Sequence, residues 1–122
     1  MQSETIYLLI VLFLKHNLAD FVFQTRYMSQ KSAQQNWLGP LALHCAVHAV
    51  LTFVVICPFF PAFVWLVTVT DYCLHFLIDY WKAQFARYPF GTPAFWWTFG
   101  LDQFLHAMTY VLLVYLIVGI RS

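Results

Sequence analysis

Four stretches of the chain are almost continuously apolar, and short polar or turn-forming runs separate them. They cover residues 6–24, 40–56, 62–88 and 101–120. Each falls near the roughly 17–25 residues that a helix needs to cross the hydrocarbon core of a bilayer. The third has 27 residues. As a helix it would measure roughly 40 Å, so it is expected to tilt or to project from one side. Pro40 occupies a permitted first-turn position of the second stretch. PFFP at 58–61 reads as a tight apolar turn, and Pro89, Gly91 and Pro93 end the third stretch. The most polar segment, TRYMSQKSAQQNWLG at 25–39, reads as a loop with some helix. FWWTF at 95–99 reads as aromatic ballast at an interface. There is no internal repeat and no low-complexity tract. The pattern predicts an all-α protein: one domain over residues 1–122, built as an integral membrane four-helix bundle.

Composition narrows the class. The chain is 62% apolar and 20% aromatic, and only 9% of its residues are charged. A soluble domain carries about 25% charged residues. A chain this short is mostly surface, and water would demand more polar groups than these. A net charge of +1 offers no footprint for nucleic acid. The cysteines Cys45, Cys57 and Cys73 are odd in number, lack CxxC spacing and read as buried free thiols. The opening MQSET has no basic run, so the first apolar stretch is expected to persist in the mature protein. Arg26, Lys31, Lys82 and Arg87 belong to the 1–2 and 3–4 connections; Arg121 and the N-terminal amine belong to the other side. The positive-inside rule puts both connections in the cytoplasm and both termini outside. Trp37, Trp81, Trp96 and Trp97 then mark the inner interface, and Trp65 and Tyr7 sit nearer the outer one.

The few ionisable residues are not scattered. His16 and Asp20, His44 and His48, Asp71, His75 and Asp79, and Asp102 and His106 are all spaced i, i+4. Residues four apart lie about 40° apart on a helix, stacked on one face. The sets lie in the C-terminal half of stretches one and three and near the start of two and four. Alternating spans run in opposite directions, so all nine residues fall at one depth, on the side of the basic connections. Charges inside a membrane face a partner or a cavity. Four carboxylates at one level would repel each other or take up protons. Two divalent cations would neutralise them. A mixed carboxylate and imidazole set suits Zn, with Mn or Fe as alternatives, and helical bundles hold paired metals with comparable motifs. The metal candidates are therefore His16, Asp20, His44, His48, Asp71, His75, Asp79, Asp102 and His106, for one or two divalent ions. Any pair taken alone has a plainer reading as core histidines or as a local ion pair, such as Lys15 with Asp20 or Asp79 with Lys82. Gln24 and Tyr27 continue the His16 face, Thr52 continues His48, and Thr109 lies beside His106. Lys82 lies only about 20° from Asp71 on an ideal wheel.

These residues suggest a metal-dependent hydrolase acting on a lipid or amphipathic substrate at the inner leaflet. Asp20 or Asp79 would accept a proton, and Lys82 and Arg26 would hold an anionic head group. Ser3, Ser29, Ser32 and Ser122 lie outside the spans, which disfavours a serine nucleophile. Three alternatives are metal-ion or proton transport or sensing, a di-iron redox enzyme, and a pore-type accessory protein without chemistry. Against transport, the outer halves of the spans are apolar, so a polar path would need a homo-oligomer. Membrane lipids are the expected partners.

KHNLADFVFQ at 15–24, the histidines of LHCAVH, DYCLHFLIDYWK at 71–82 and DQFLH at 102–106 together resemble a family of small bacterial and phage-encoded membrane proteins. That family is catalogued as a domain of unknown function. The resemblance covers nearly the whole chain. It implies a four-span protein of the bacterial inner membrane and no established activity. More distantly, the His- and Asp-bearing spans are similar to predicted membrane-bound metal-dependent hydrolases of bacteria.

Overall fold

The structure, a computed structural model, describes residues 2–121. Met1 and Ser122, the latter among the serines set aside above, lie outside the described residues. Among those residues the protein is all-helical: α1 (Gln2–Phe21), α2 (Arg26–Ser29) followed by a 3-10 turn (Gln30–Ser32), α3 (Leu38–Ile56), α4 (Val64–Phe85) and α5 (Pro93–Arg121). The four long helices pack in a ring, α1 on α3, α3 on α4, α4 on α5 and α5 back on α1. They alternate in direction. At one end Tyr7 meets Phe59 and Arg121 meets Glu4; at the other, Asp20 meets His44 and Lys82 meets Asp102.

Local chemistry sets the helix ends. Thr92 accepts a hydrogen bond from the Phe95 amide at 3.2 Å, and Pro93 follows it at the first helical position. Helix α5 thus begins before the predicted span, and the aromatic run 95–99 forms its first turns. Helix α4 stops at Phe85, short of residue 88. There Arg87 folds back, its Nε donating to the Ala83 carbonyl at 2.6 Å, and Pro89 follows. Gly91, at φ 85°, takes the left-handed conformation that the turn into α5 requires. Between α1 and α3, Thr25 caps α2 by accepting from the Met28 amide. The segment Arg26–Ser32 is bent 90° from α1 and packs against α3 and α4. It lies across the polar end of the ring.

Each long helix buries one stripe, and each stripe changes character along its length. On α4 it runs Val64, Val67, Asp71, His75, Asp79, Ala83. On α5 it runs Asp102, His106, Tyr110, Leu113, Ile117. One half of the core is therefore apolar, with Leu8, Leu12, Ile56, Phe60, Val67, Leu113 and Ile117 packed together. The other half holds Lys15, His16, His44, His48, Asp71, His75, Asp79, Asp102 and His106, all buried. The outer surface reverses the usual order. Ile6, Ile10, Leu14, Val50, Val54, Val69, Leu77, Phe104 and Tyr115 are exposed. Helices α3 and α5 are long and apolar enough to cross a membrane, and α1 makes a third where it is counted as one broken span with its bent extension. Of the thiols only Cys45 is fully buried; Cys57 is partly covered and Cys73 faces outward, because it lies off the buried stripe of α4.

Candidate metal centre

The i, i+4 spacing on each helix carries two or three inward side chains at successive turns, and the ring brings the four sets together. His75 of α4 is the hub. Its ring centroid lies 3.7 Å from that of His48, 4.2 Å from His106, 5.4 Å from His44 and 5.8 Å from His16. Three carboxylates surround this imidazole cluster. Asp20 lies 2.9 Å from His48 Nε2, 3.1 Å from His16 Nε2 and 3.3 Å from His44 Nε2. Asp79 lies 3.1 Å from His106 Nε2 and 3.2 Å from His44 Nε2. Asp102 lies 3.5 Å from His106 Nε2.

Ligand atoms of three groups come within 4.8 Å of one another: Asp20 with His44, His48 and His75; His16 with His75 and His106; and Asp79 with Asp102 and His106. Eight of the nine sequence candidates join these groups. The ninth, Asp71, does not. It sits one turn further toward the apolar half, completely buried, where Lys15 Nζ donates to it at 2.8 Å and the Thr52 hydroxyl at 2.5 Å. Lys15 also donates to the His48 carbonyl and lies 4.8 Å over the Tyr110 ring. Asp71 is thus neutralised by a lysine that the sequence reading paired with Asp20. Lys15 points into the bundle, and Asp71 is the carboxylate it meets there.

The cluster is under-satisfied by protein alone. Both ring nitrogens of His75 are buried without a hydrogen-bond partner, as are His44 Nδ1, His48 Nδ1 and Asp102 Oδ1. Buried polar atoms left unpaired cost free energy and normally have a partner. Imidazole nitrogens and carboxylate oxygens converging within one layer are the donor set that a divalent transition metal takes. The residues fit such an ion. Tyr110, absent from the sequence candidates, is hydrogen-bonded to His16 Nδ1 at 2.8 Å. It fixes that ring with Nε2 toward Asp20. Its position, four after His106, was the available signal.

A cleft of about 600 Å³ opens onto the layer at its polar end. Asp20, Asp79 and Asp102 form its floor; Lys31, Lys82 and Arg87 stand on its walls with Phe21, Phe95 and Phe99. Lys82 donates to Asp102 at 3.1 Å, not to Asp79, because Lys31 from the bent segment already occupies Asp79 at 2.6 Å. Arg26 is exposed at the start of α2 and does not line the cleft. Lys31 and Arg87 hold the place the sequence reading gave it. Tyr27 is half exposed, its hydroxyl beside Gly39, and does not join the layer. Gln24 lines the cleft. Thr109 donates to the Leu105 carbonyl within its own helix.

The arrangement defines an all-helical protein with an apolar exterior and a buried layer of histidine and aspartate. Residues 8–122 match the family described as protein of unknown function, DUF3307, and the chain belongs to that family. Comparison with curated proteins and with solved structures finds no significant match.

Proposed function

We propose that this is a four-span protein of the bacterial inner membrane and a metal-dependent hydrolase of anionic amphiphiles, its polar end on the cytoplasmic side. The observation that carries the reading is the layer of five imidazoles and three carboxylates, with orphaned ring nitrogens, at the floor of an open cleft. The inverted surface supports the membrane setting, since apolar side chains face out while ionisable ones face in. Helix α4 is read as the fourth span. Its two aspartates, His75 and Lys82 lower its hydropathy, and the first three point inward, where the ring shields them.

When bound, a divalent ion such as Zn polarises a phosphoryl or acyl oxygen and makes a water acidic. The chain supplies the rest. Asp20, the most accessible of the three layer carboxylates, accepts a proton from the water at Oδ2, leaving Oδ1 to face His44 and His48. The water oxygen bonds to the phosphoryl or acyl centre. The ester oxygen leaves with a proton, giving an acid and an alcohol. Lys82 and Arg87 attract the anionic head group, and Phe95 and Phe99 offer an apolar wall to the adjoining chain. Transport is the weaker reading. The apolar half of the core closes the far side, so one chain provides no polar route across.

Elemental analysis of the purified protein tests the metal. Stoichiometric Zn, Mn or Fe in the wild type, and a lower metal content in His48→Ala, are expected. Metal-loaded protein in vesicles of anionic phospholipid is then expected to release phosphate or fatty acid, and Asp20→Asn to lose that release while staying folded. A wild type without bound metal, or a loaded protein inert toward every anionic ester tried, overturns the reading.

A further inference from the structure

We infer that the layer holds two divalent-cation sites of different kinds: a closed one made by Asp20, His44, His48 and His75, and an open one made by Asp79, Asp102 and His106 at the cleft. The inference rests on the metal reading above and goes further in number, place and role. Three donor groups converge, but they share members. The group of His16, His75 and His106 overlaps both others. The aspartate-rich trio and the four-residue group are the one pair that can fill together without sharing a ligand. Two ions therefore use every converging donor except His16.

The two sites differ in completeness. Four protein donors close a tetrahedral site, whereas three leave a position for water or substrate. The trio is the group that faces the cleft. Two of its three residues, Asp79 and Asp102, line it, whereas of the four-residue group only Asp20 does, and His44, His48 and His75 stay behind it. The carboxylate geometry agrees. Asp79 Oδ1 and Asp102 Oδ1 both approach His106 Nε2, at 3.1 and 3.5 Å. The opposite oxygens are held from the cleft side, Asp79 Oδ2 by Lys31 and Asp102 Oδ2 by Lys82 and Gln103. Asp102 is 97% buried, yet its Oδ1 has no hydrogen-bond partner and aims into the trio. Asp79 also lies 3.2 Å from His44 Nε2, so it borders both sites.

The two lysines give the open site a built-in charge exchange. Among the described residues they balance Asp79 and Asp102. A divalent ion against the Oδ1 atoms takes over that balance and leaves both ammonium groups in surplus at the cleft wall. A substrate with a doubly charged anionic group, a phosphomonoester above all, is the class this answers.

The test is a Zn count and needs no substrate. The protein is loaded with Zn²⁺ in detergent, stripped of free ion by gel filtration, and assayed for metal per chain with helical content checked by circular dichroism. Two ions are expected in the wild type, one in Asp102→Asn and one in His48→Ala. A wild type with a single ion that Asp102→Asn retains overturns the two-site inference and leaves the metal reading standing. A wild type with none overturns both. Lys82→Gln provides a measurement that does not depend on removing a ligand. Deleting a cation beside the open site should tighten the weaker Zn²⁺ binding step several-fold in a competition titration; unchanged or weaker binding counts against the site.

Discussion

The two halves of the core are built from the same four helices with the same buried spacing, yet they obey different physics. In the apolar half, Leu8, Leu12, Ile56, Val67, Leu113 and Ile117 fill the space between helices. For a helix in lipid this exchange is nearly neutral, because acyl chains are as apolar as leucine. In the polar half, given the proposed membrane setting, an Asp, His or Lys turned outward would meet hydrocarbon, and the ring turns each of them inward, toward the others. The difference teaches that the polar layer, the candidate metal centre, is also the chief reason these helices stay in register. The apolar half seals and spaces.

The sharpest way to break that comparison is at the Lys15 and Asp71 pair, where the two halves meet. The side chains are 4% and 1% exposed and lie 2.8 Å apart. Lys15→Met leaves a buried carboxylate without its cation and should cost about 3–5 kcal/mol of stability. The double variant Lys15→Met with Asp71→Leu should recover most of that loss. Reversible unfolding in mixed detergent reads both. A single variant no worse than a core leucine truncation would remove the contrast between the halves.

The apolar half supplies the matching smaller effect. Leu12→Ala and Leu113→Ala each open a cavity among fully buried neighbours. Leu to Ala costs about 3–5 kcal/mol in a soluble core, where water is the reference; with lipid as reference about 1–2 kcal/mol is expected. Zn content should stay at the wild-type value. Loss of metal in either variant would mean that the apolar half shapes the site.

Much of this contrast was legible from spacing alone. The four i, i+4 sets fixed which residues share a helix face, and alternating chain direction fixed their common depth. Eight of the nine converge as that reasoning requires. What spacing could not show is who pairs with whom across helices. Asp71 has the same periodicity as Asp79, but it faces Lys15 and Thr52 from α1 and α3, and nothing along α4 reveals that. Lys31 was equally hidden. It stands in a polar connection, and only the 90° bend after α1 carries it over Asp79. Tyr110 was visible in principle, as the next residue on the His106 face, but among so many aromatic residues its hydroxyl carried no separate signal.

Tyr110 sharpens the comparison at smaller scale, since its ring packs in the apolar cluster while its hydroxyl reaches His16. Tyr110→Phe keeps the ring. It should cost about 1 kcal/mol of stability and leave His16 less firmly oriented. Partners that orient a ligating histidine are worth about 10–100-fold in metal affinity, and the low end is expected here because His16 stands outside both proposed sites. A Zn²⁺ competition titration of the two proteins decides it. Equal affinities would show that His16 has no part in organising the layer.

The smallest effect belongs to two ion pairs that look alike on paper and sit at opposite ends of the ring. Lys31 meets Asp79 at 2.6 Å with side chains 19% and 6% exposed, and Arg121 meets Glu4 at 3.7 Å with side chains 50% and 56% exposed. Water screens the second pair and both its side chains are mobile enough to lose entropy on pairing, so Arg121→Gln should change stability by less than about 0.5 kcal/mol. The first pair is shielded by the bent segment, which Gln84 of α4 ties down through the Lys31 carbonyl, while Arg87, just past α4, holds the Ala33 carbonyl that follows the segment. Lys31→Gln should therefore loosen the cover before it loosens the bundle. Amide exchange across residues 26–33 should speed up, while the α3 and α4 amides keep their protection. Faster exchange in α4 as well would mean that the cover, and not the buried layer beneath it, holds the polar end together.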